Sequence, residues 1–399
     1  MSLTTRRLTR DDFDQSMALS REAFGHLPPG TTPPSADDFP RPGFHAFGTF
    51  DGDQLVARVV TREYHSWFGG SAVPTGGIAG VAVAAERRGE KLLDDLFRVA
   101  LDDGFRERGE VVSTLFPTAP GIYRKFGYEL VSSYDEVEIP SSALVGVRPA
   151  DGVRTRRATA ADFDAVREVY DAWAAAQNGP LTRRGPSFPT DAEGFIGAFT
   201  GVTLAVDDAG EIIGFASWER GHGFGDSSTL EVSDLLALSA DAYRALWRVL
   251  GSFGSVVGQV RVCTSGDDVA RLSLPSAHWN VVKRSPYMLR VHDVPGAFAA
   301  REWPVDGEVA FTVAGDHVGT TNGSWHLVID QGKAACTPAT VSDDAPVLTP
   351  SGLALAWAGA QTSANLRMAG HLAGGRAAQD DAALDRLLAP RPIHIRDYF

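Results

Sequence analysis

Apolar and polar positions fall into the same order twice along this chain. Residues 6–14 read RRLTRDDFD, and residues 156–164 read RRATAADFD. In each, a threonine (Thr9, Thr159) stands three positions before an aspartate (Asp12, Asp162), a near capping box that opens a helix. Apolar residues then recur at helical spacing: Phe13, Met17 and Phe24 in the first, and Phe163, Val166, Val169, Tyr170 and Trp173 in the second. Further on, DGDQLVARVV at 51–60 matches DAGEIIGFAS at 208–217, each a turn feeding a strand. The repetition predicts two copies of one α/β unit, over residues 1–145 and 150–290. The stretch between them, IPSSALVGVRPADG, has Pro, Ser and Gly with no sustained period and is expected to be a linker.

Beyond residue 290 the pattern changes. EVAFTVAGDHVGTTNGSWHLVIDQGKAACTPA alternates apolar and polar residues with Gly and Asn between, which predicts antiparallel strands. A helix is predicted at about 376–388 on Ala377, Leu384, Leu387 and Leu388, and the chain closes on PIHIRDYF. The expected architecture is α/β, α/β and then α+β over 291–399.

One segment of the first copy carries candidate chemistry. GGIAGVAVAAERRGEKLLDDLFRVAL at 76–101 reads as a buried strand at Val81–Val83, a basic turn at Arg87, Arg88 and Gly89, and an amphipathic helix. A strand feeding a Gly-containing turn at a helix N-terminus presents free backbone N–H groups, which suit a pyrophosphate. Arginines there add charge-assisted hydrogen bonds. The matching stretch of the second copy, LEVSDLLALSADAYRALWRVL, keeps the strand and helix but lacks the RRG turn.

Composition narrows the picture. The length of 399 residues suits about two to three domains. A formal net charge of −13 disfavours nucleic acid and anionic membranes as partners and favours cationic ones. No run approaches the roughly 18 apolar residues of a membrane span; the longest, residues 78–85 and 353–358, are short and rich in small residues. The opening MSLTTRRLTRDDF has no apolar run behind its arginines, so no secretory signal is expected and a cytoplasmic location is. Cys263 and Cys336 show no CxxC spacing, and none of the ten histidines sits in an HExxH or Cys/His cluster. Neither a disulfide nor a metal is expected.

Residues 76–130 resemble the acyl-CoA-binding core of GCN5-related N-acetyltransferases (GNAT), and GIYRKFGY at 121–128 resembles the element that closes that fold. In domain order the whole chain is similar to the Eis-type acetyltransferases: an active GNAT domain, a degenerate second one, and a sterol-carrier-protein-like domain, which VAFTV and GSWHLVIDQG resemble. The resemblance implies an acetyl-CoA-dependent N-acetyltransferase for a small-molecule amine, with acetyl-CoA as co-substrate, no metal, and a homohexameric assembly. The implied acceptors are polycations of the aminoglycoside kind, or lysine amines. Tyr123 stands where the family keeps the tyrosine that protonates the departing thiolate, and Phe399 supplies the terminal carboxylate that takes the amine proton. By the same resemblance, the backbones of Val81, Ala82 and Val83 pair with the pantetheine arm. The pyrophosphate falls to Arg88, Gly89, Glu90, Lys91, Leu92, Leu93 and Asp94, while Thr118 and Ala119 flank the adenosine–pantetheine end. Lys91 departs from the family, standing where glycine is usual, and Glu90 places a negative charge beside the phosphates. Asp37, Asp38 and Asp397 are candidates for an acidic acceptor wall. The rival expectation is a lipid-binding carrier with relic acetyltransferase domains.

Overall fold

The computed structural model describes residues 3–27, 31, 33–266, 268–274, 278–388 and 393–399. Met1, Ser2 and the Pro392 that opens PIHIRDYF lie outside the described residues.

Both repeats form a short strand, a 3-10 turn and a helix: Leu3–Arg7, Arg10–Asp12 and Phe13–Phe24, then Val153–Arg157, Ala160–Asp162 and Phe163–Ala175. Each threonine and aspartate closes a full capping box. The paired arginines of the repeat have a physical reason. Arg6 donates to both oxygens of Asp12 at 2.7 and 2.8 Å, and Arg156 does the same to Asp162 at 2.9 and 2.6 Å. The second helix buries Val166, Val169, Tyr170 and Ala174. The first departs from expectation: its buried face carries Ser16 and Leu19, while Met17 and Phe24 line a cleft.

The two units share one 12-stranded sheet. The first supplies, in spatial order, Leu3–Arg7, Phe44–Asp51, Gln54–Phe68, Ser71–Val83 and Val112–Leu115. The next strand is Asn280–Val291, the last of the second unit. The first unit's own last strand, Glu129–Pro140, follows and lies against Val257–Thr264 of the second. Gly225–Ala237, Ile212–Arg220, Gly201–Asp207 and Val153–Arg157 complete the sheet. The units thus exchange their final strands, which pair antiparallel from Leu289↔Glu129 to Asn280↔Glu138. Residues 139–152 are no free linker. Ser141, Leu144 and Val147 are buried, Ser141 Oγ donates to the Val257 carbonyl at 2.5 Å, and Arg248 donates to the Val147 carbonyl at 2.9 Å.

The C-terminal region forms a five-stranded sheet: Lys333–Pro338, Gly323–Asp330, Gly307–Val313, Pro346–Leu348 and Leu372–Gly374. Its apolar run is the helix Pro350–Ala358, buried along its whole length and packed on both exchanged strands. A helix buried all round needs no polar face. Trp357, Phe311, Leu327 and Leu387 fill the interior. The helix Ala377–Leu387 closes this layer. A buried ion pair, Arg290 to Asp316 at 2.9 Å, fastens the layer to the exchanged strand. Cys263 and Cys336 are free thiols. Among the described residues no helix is long and apolar enough to cross a membrane.

Candidate active site

Strand Ser71–Val83 is the spine of the site. It pairs in parallel with Val112–Leu115 only from Thr75 to Ile78, so beyond Ile78 that edge has no neighbour. On its other edge, Val60 pairs with Ala79 and Arg58 with Ala82. Gly80 and Val81 therefore face Val59 alone, a bulge that turns the strand outward. Gly80 takes the left-handed φ of 55° that this requires. The free edge at Val81–Val83 is a slot into which an extended ligand can pair as a strand would.

The slot opens into a groove of about 720 Å³ that Arg88, Gly89, Lys91, Leu92, Leu93 and Thr118 help line. Arg88 and Lys91 are exposed, and among the described residues neither pairs with a carboxylate. The helix Leu93–Arg108 begins there without a side-chain cap, leaving N–H donors and the positive end of its dipole available. Lys91 has φ 60°. The left-handed conformation explains why glycine would suit this position, and it costs a lysine about 1–2 kcal/mol. Glu90, Asp94 and Ala119 do not line the groove. Arg87 holds Glu90 at 2.8 Å, Lys125 pairs with Asp94, and Ala119 is the N-cap of the short helix Pro120–Arg124.

Tyr123, on that short helix, lines both this groove and a second cavity of about 490 Å³. Burial raises its phenol above the ordinary value of 10.0, so it stays protonated at neutral pH. Tyr128, by contrast, is a core residue: fully buried, with its hydroxyl 2.5 Å from Ser113 Oγ.

Phe399 lines the second cavity with Tyr123, Val81 and Thr118. Its ring packs on Tyr64 at 4.9 Å and Phe116 at 5.4 Å. Gly77 makes room, since a Cβ there would come 2.4 Å from Tyr64 and 3.0 Å from Phe399. The preceding residues are pinned along the second unit. Arg396 donates to the carbonyls of Ser233 and Cys263, each at 2.5 Å, and to Asp234 at 3.1 Å. Arg183 grips Asp234 at 2.7 and 3.0 Å and Asp397 at 2.8 Å. The second unit has a bulge of its own, between Val232 and Asp234, and there Arg396 takes the Ser233 carbonyl. The chain's own tail occupies the place that stays open in the first unit.

The acidic wall is largely absent. Asp397 is committed to Arg183; burial raises its carboxyl despite that guanidinium. Asp37 is exposed and pairs with Arg10. Of the three candidates, Asp38 alone lines the cavity, together with Arg41, Arg58 and Arg62. Sequence reasoning missed these arginines. For Arg58 and Arg62 the signal was available, because residues 58, 60 and 62 of a strand share one face.

Comparison with known proteins decides the family. Residues 4–131 and 179–291 each match a family described as an acetyltransferase (GNAT) domain, and residues 294–396 match a sterol carrier protein domain. The crystal structure of a GCN5-related N-acetyltransferase from Kribbella flavida is 30% identical, with a TM-score of 0.84 over 100% of this chain and 98% of that one. The chain is an Eis-type GCN5-related N-acetyltransferase. An uncharacterized N-acetyltransferase of Streptomyces griseus is 30% identical over 74% of this chain and 76% of its own length. The N-acetyltransferase Eis of Mycobacterium bovis is 27% identical over 73% of each. Two GNAT domains and a sterol carrier domain, the predicted fold class, account for the architecture. In this Eis-type enzyme the open slot belongs to the first GNAT domain.

Proposed function

We propose that the enzyme moves an acetyl group from acetyl-CoA directly to a primary amine of a small molecule, in the first GNAT domain. One observation carries the reading: Tyr123 and the last residue of the chain line one cavity, and Tyr123 also lines the groove beside the open slot. Acetyl-CoA would supply the acetyl group as a thioester. The residues present fit it. The free edge at Val81–Val83 suits an extended arm, and the uncapped helix with Arg88 and Lys91 suits a diphosphate.

The Phe399 carboxylate takes the proton that the acceptor nitrogen loses as the C–N bond forms. An α-carboxylate is a weak base in water, and it becomes useful by being held beside the acceptor nitrogen. The Tyr123 hydroxyl returns a proton to sulfur as the C–S bond breaks. A backbone N–H on the open edge steadies the oxyanion between those events. The second GNAT domain is degenerate in this reading and serves to hold the tail. By family resemblance the assembly is a hexamer in the cytoplasm, which light scattering and fractionation test.

Tyr123→Phe should lower kcat by about 10²-fold or more while calorimetry finds acetyl-CoA bound as tightly as before. A kcat within threefold of the parent's would remove Tyr123 from the chemistry. Lys91→Gly should relieve about 1 kcal/mol of backbone strain, seen as a higher melting temperature. The same change should weaken acetyl-CoA a few-fold, because a cation leaves the groove.

A further inference from the structure

The acceptor cavity carries charge opposite to that of the whole chain. Arg41, Arg58 and Arg62 line it against Asp38 and the terminal carboxylate. None of the three arginines lies in an ion pair with a carboxylate among the described residues, the carboxylate of Phe399 included. Counting these groups leaves the cavity net positive even before a ligand enters.

Arg58 is the most telling. It is 5% exposed, and its Nη1 donates to the Ser16 carbonyl at 2.7 Å. Its Nε is buried with no hydrogen-bond partner. A buried cation without an anion is costly, and burial pulls its guanidinium down to about 10. Arg62, two pleats along the same face, also has a buried Nε without a partner. Arg41 and Arg62 are both held against the Phe44 ring, 5.0 and 4.8 Å from its centroid. A polycation entering here would meet like charge, whereas an anionic group would supply the counter-charge that none of the three guanidiniums has.

We infer that the acceptor is an amine that also bears an anionic group, a carboxylate or a phosphate, which Arg58, Arg62 and Arg41 receive while the amine faces Phe399 and Tyr123. The inference rests on the acetyltransferase reading and replaces its polycationic acceptor. Guanidinium binds carboxylate and phosphate through the same forked hydrogen bonds, so the experiment must separate the two.

The test is thiol release from acetyl-CoA with matched probes: phenethylamine, its ring-carboxylate and ring-phosphate analogues, and spermidine. At least one anionic amine should exceed phenethylamine in kcat/KM by about tenfold or more, with spermidine lowest. The better of the two anionic probes identifies the anion. Arg62→Gln and Arg41→Gln should shrink that preference to about threefold or less, through KM rather than kcat, and Arg62→Lys should restore part of it. These two positions carry the test because substitution of the buried Arg58 invites misfolding. Phenethylamine or spermidine acetylated as well as the anionic probes would overturn the inference and leave the acetyltransferase reading standing. Thiol release with none of the four amines, despite bound acetyl-CoA, would overturn both.

Discussion

Adding one glycine after Phe399 should cut turnover by about 10²- to 10⁴-fold, the usual worth of a positioned acid or base. The extension carries the terminal carboxylate about 3.5 Å further along the chain, while the Phe399 ring stays free to keep its place on Tyr64 and Phe116. Hydrogen-bonded proton transfer does not tolerate such a shift. Arg88, Gly89 and Lys91 belong to the separate groove, so the affinity for acetyl-CoA should survive. Steady-state kinetics beside a calorimetric titration distinguish the two effects. An extended chain that turns over like the parent would mean that some other base takes the proton.

Asp234→Ala should destabilise the fold by about 3–5 kcal/mol, because it leaves the buried Arg396 guanidinium without a carboxylate and Arg183 with Asp397 alone. Urea unfolding reads this directly. The same change unties the tail, so kcat should fall even in the fraction that stays folded. The pH dependence has a definite sign. Burial alone would raise the Asp234 carboxyl, but Arg183 and Arg396 outweigh it and hold it at about 2 against an ordinary 3.8. A carboxyl lowered in the folded state contributes stability that is complete above about pH 4 and lost as pH falls toward 2. The parent protein should therefore lose stability across that window more steeply than Asp234→Ala. Parallel curves would show that Asp234 is not the group that titrates.

Much of this was legible in the sequence, and the limits have physical causes. Periodicity and capping chemistry are local, so the two matched helix starts at Thr9 and Thr159 were readable. So was the RRG turn, while Tyr123 stood out as a candidate acid only through the family resemblance. Spacing says which face of a strand a residue occupies but not which strand lies beside it. The exchange of Glu129–Pro140 and Asn280–Val291 was invisible for that reason. The short apolar run at 353–358 excluded a membrane span but gave no sign that it forms a fully buried helix. Met17 and Phe24 recur at helical spacing, yet they line a cleft, and the helix buries Ser16, whose carbonyl accepts from Arg58. The arginines beside Phe399 were hidden by the overall charge. A net −13 averages over the surface and says nothing about three arginines gathered in one cleft.

The crossed final strands bear on how such a protein can change. A gene cut near codon 145 would give a front half whose strand Val112–Leu115 has lost the partner at its centre and shows a raw edge, an invitation to aggregate. The rear half would fare no better, with Val257–Thr264 stripped of Glu129–Pro140. Each half is therefore the other's hostage. A duplicated copy whose own groove is plugged still cannot be deleted, and natural selection is left to put it to other work, here as the clamp for the chain's end.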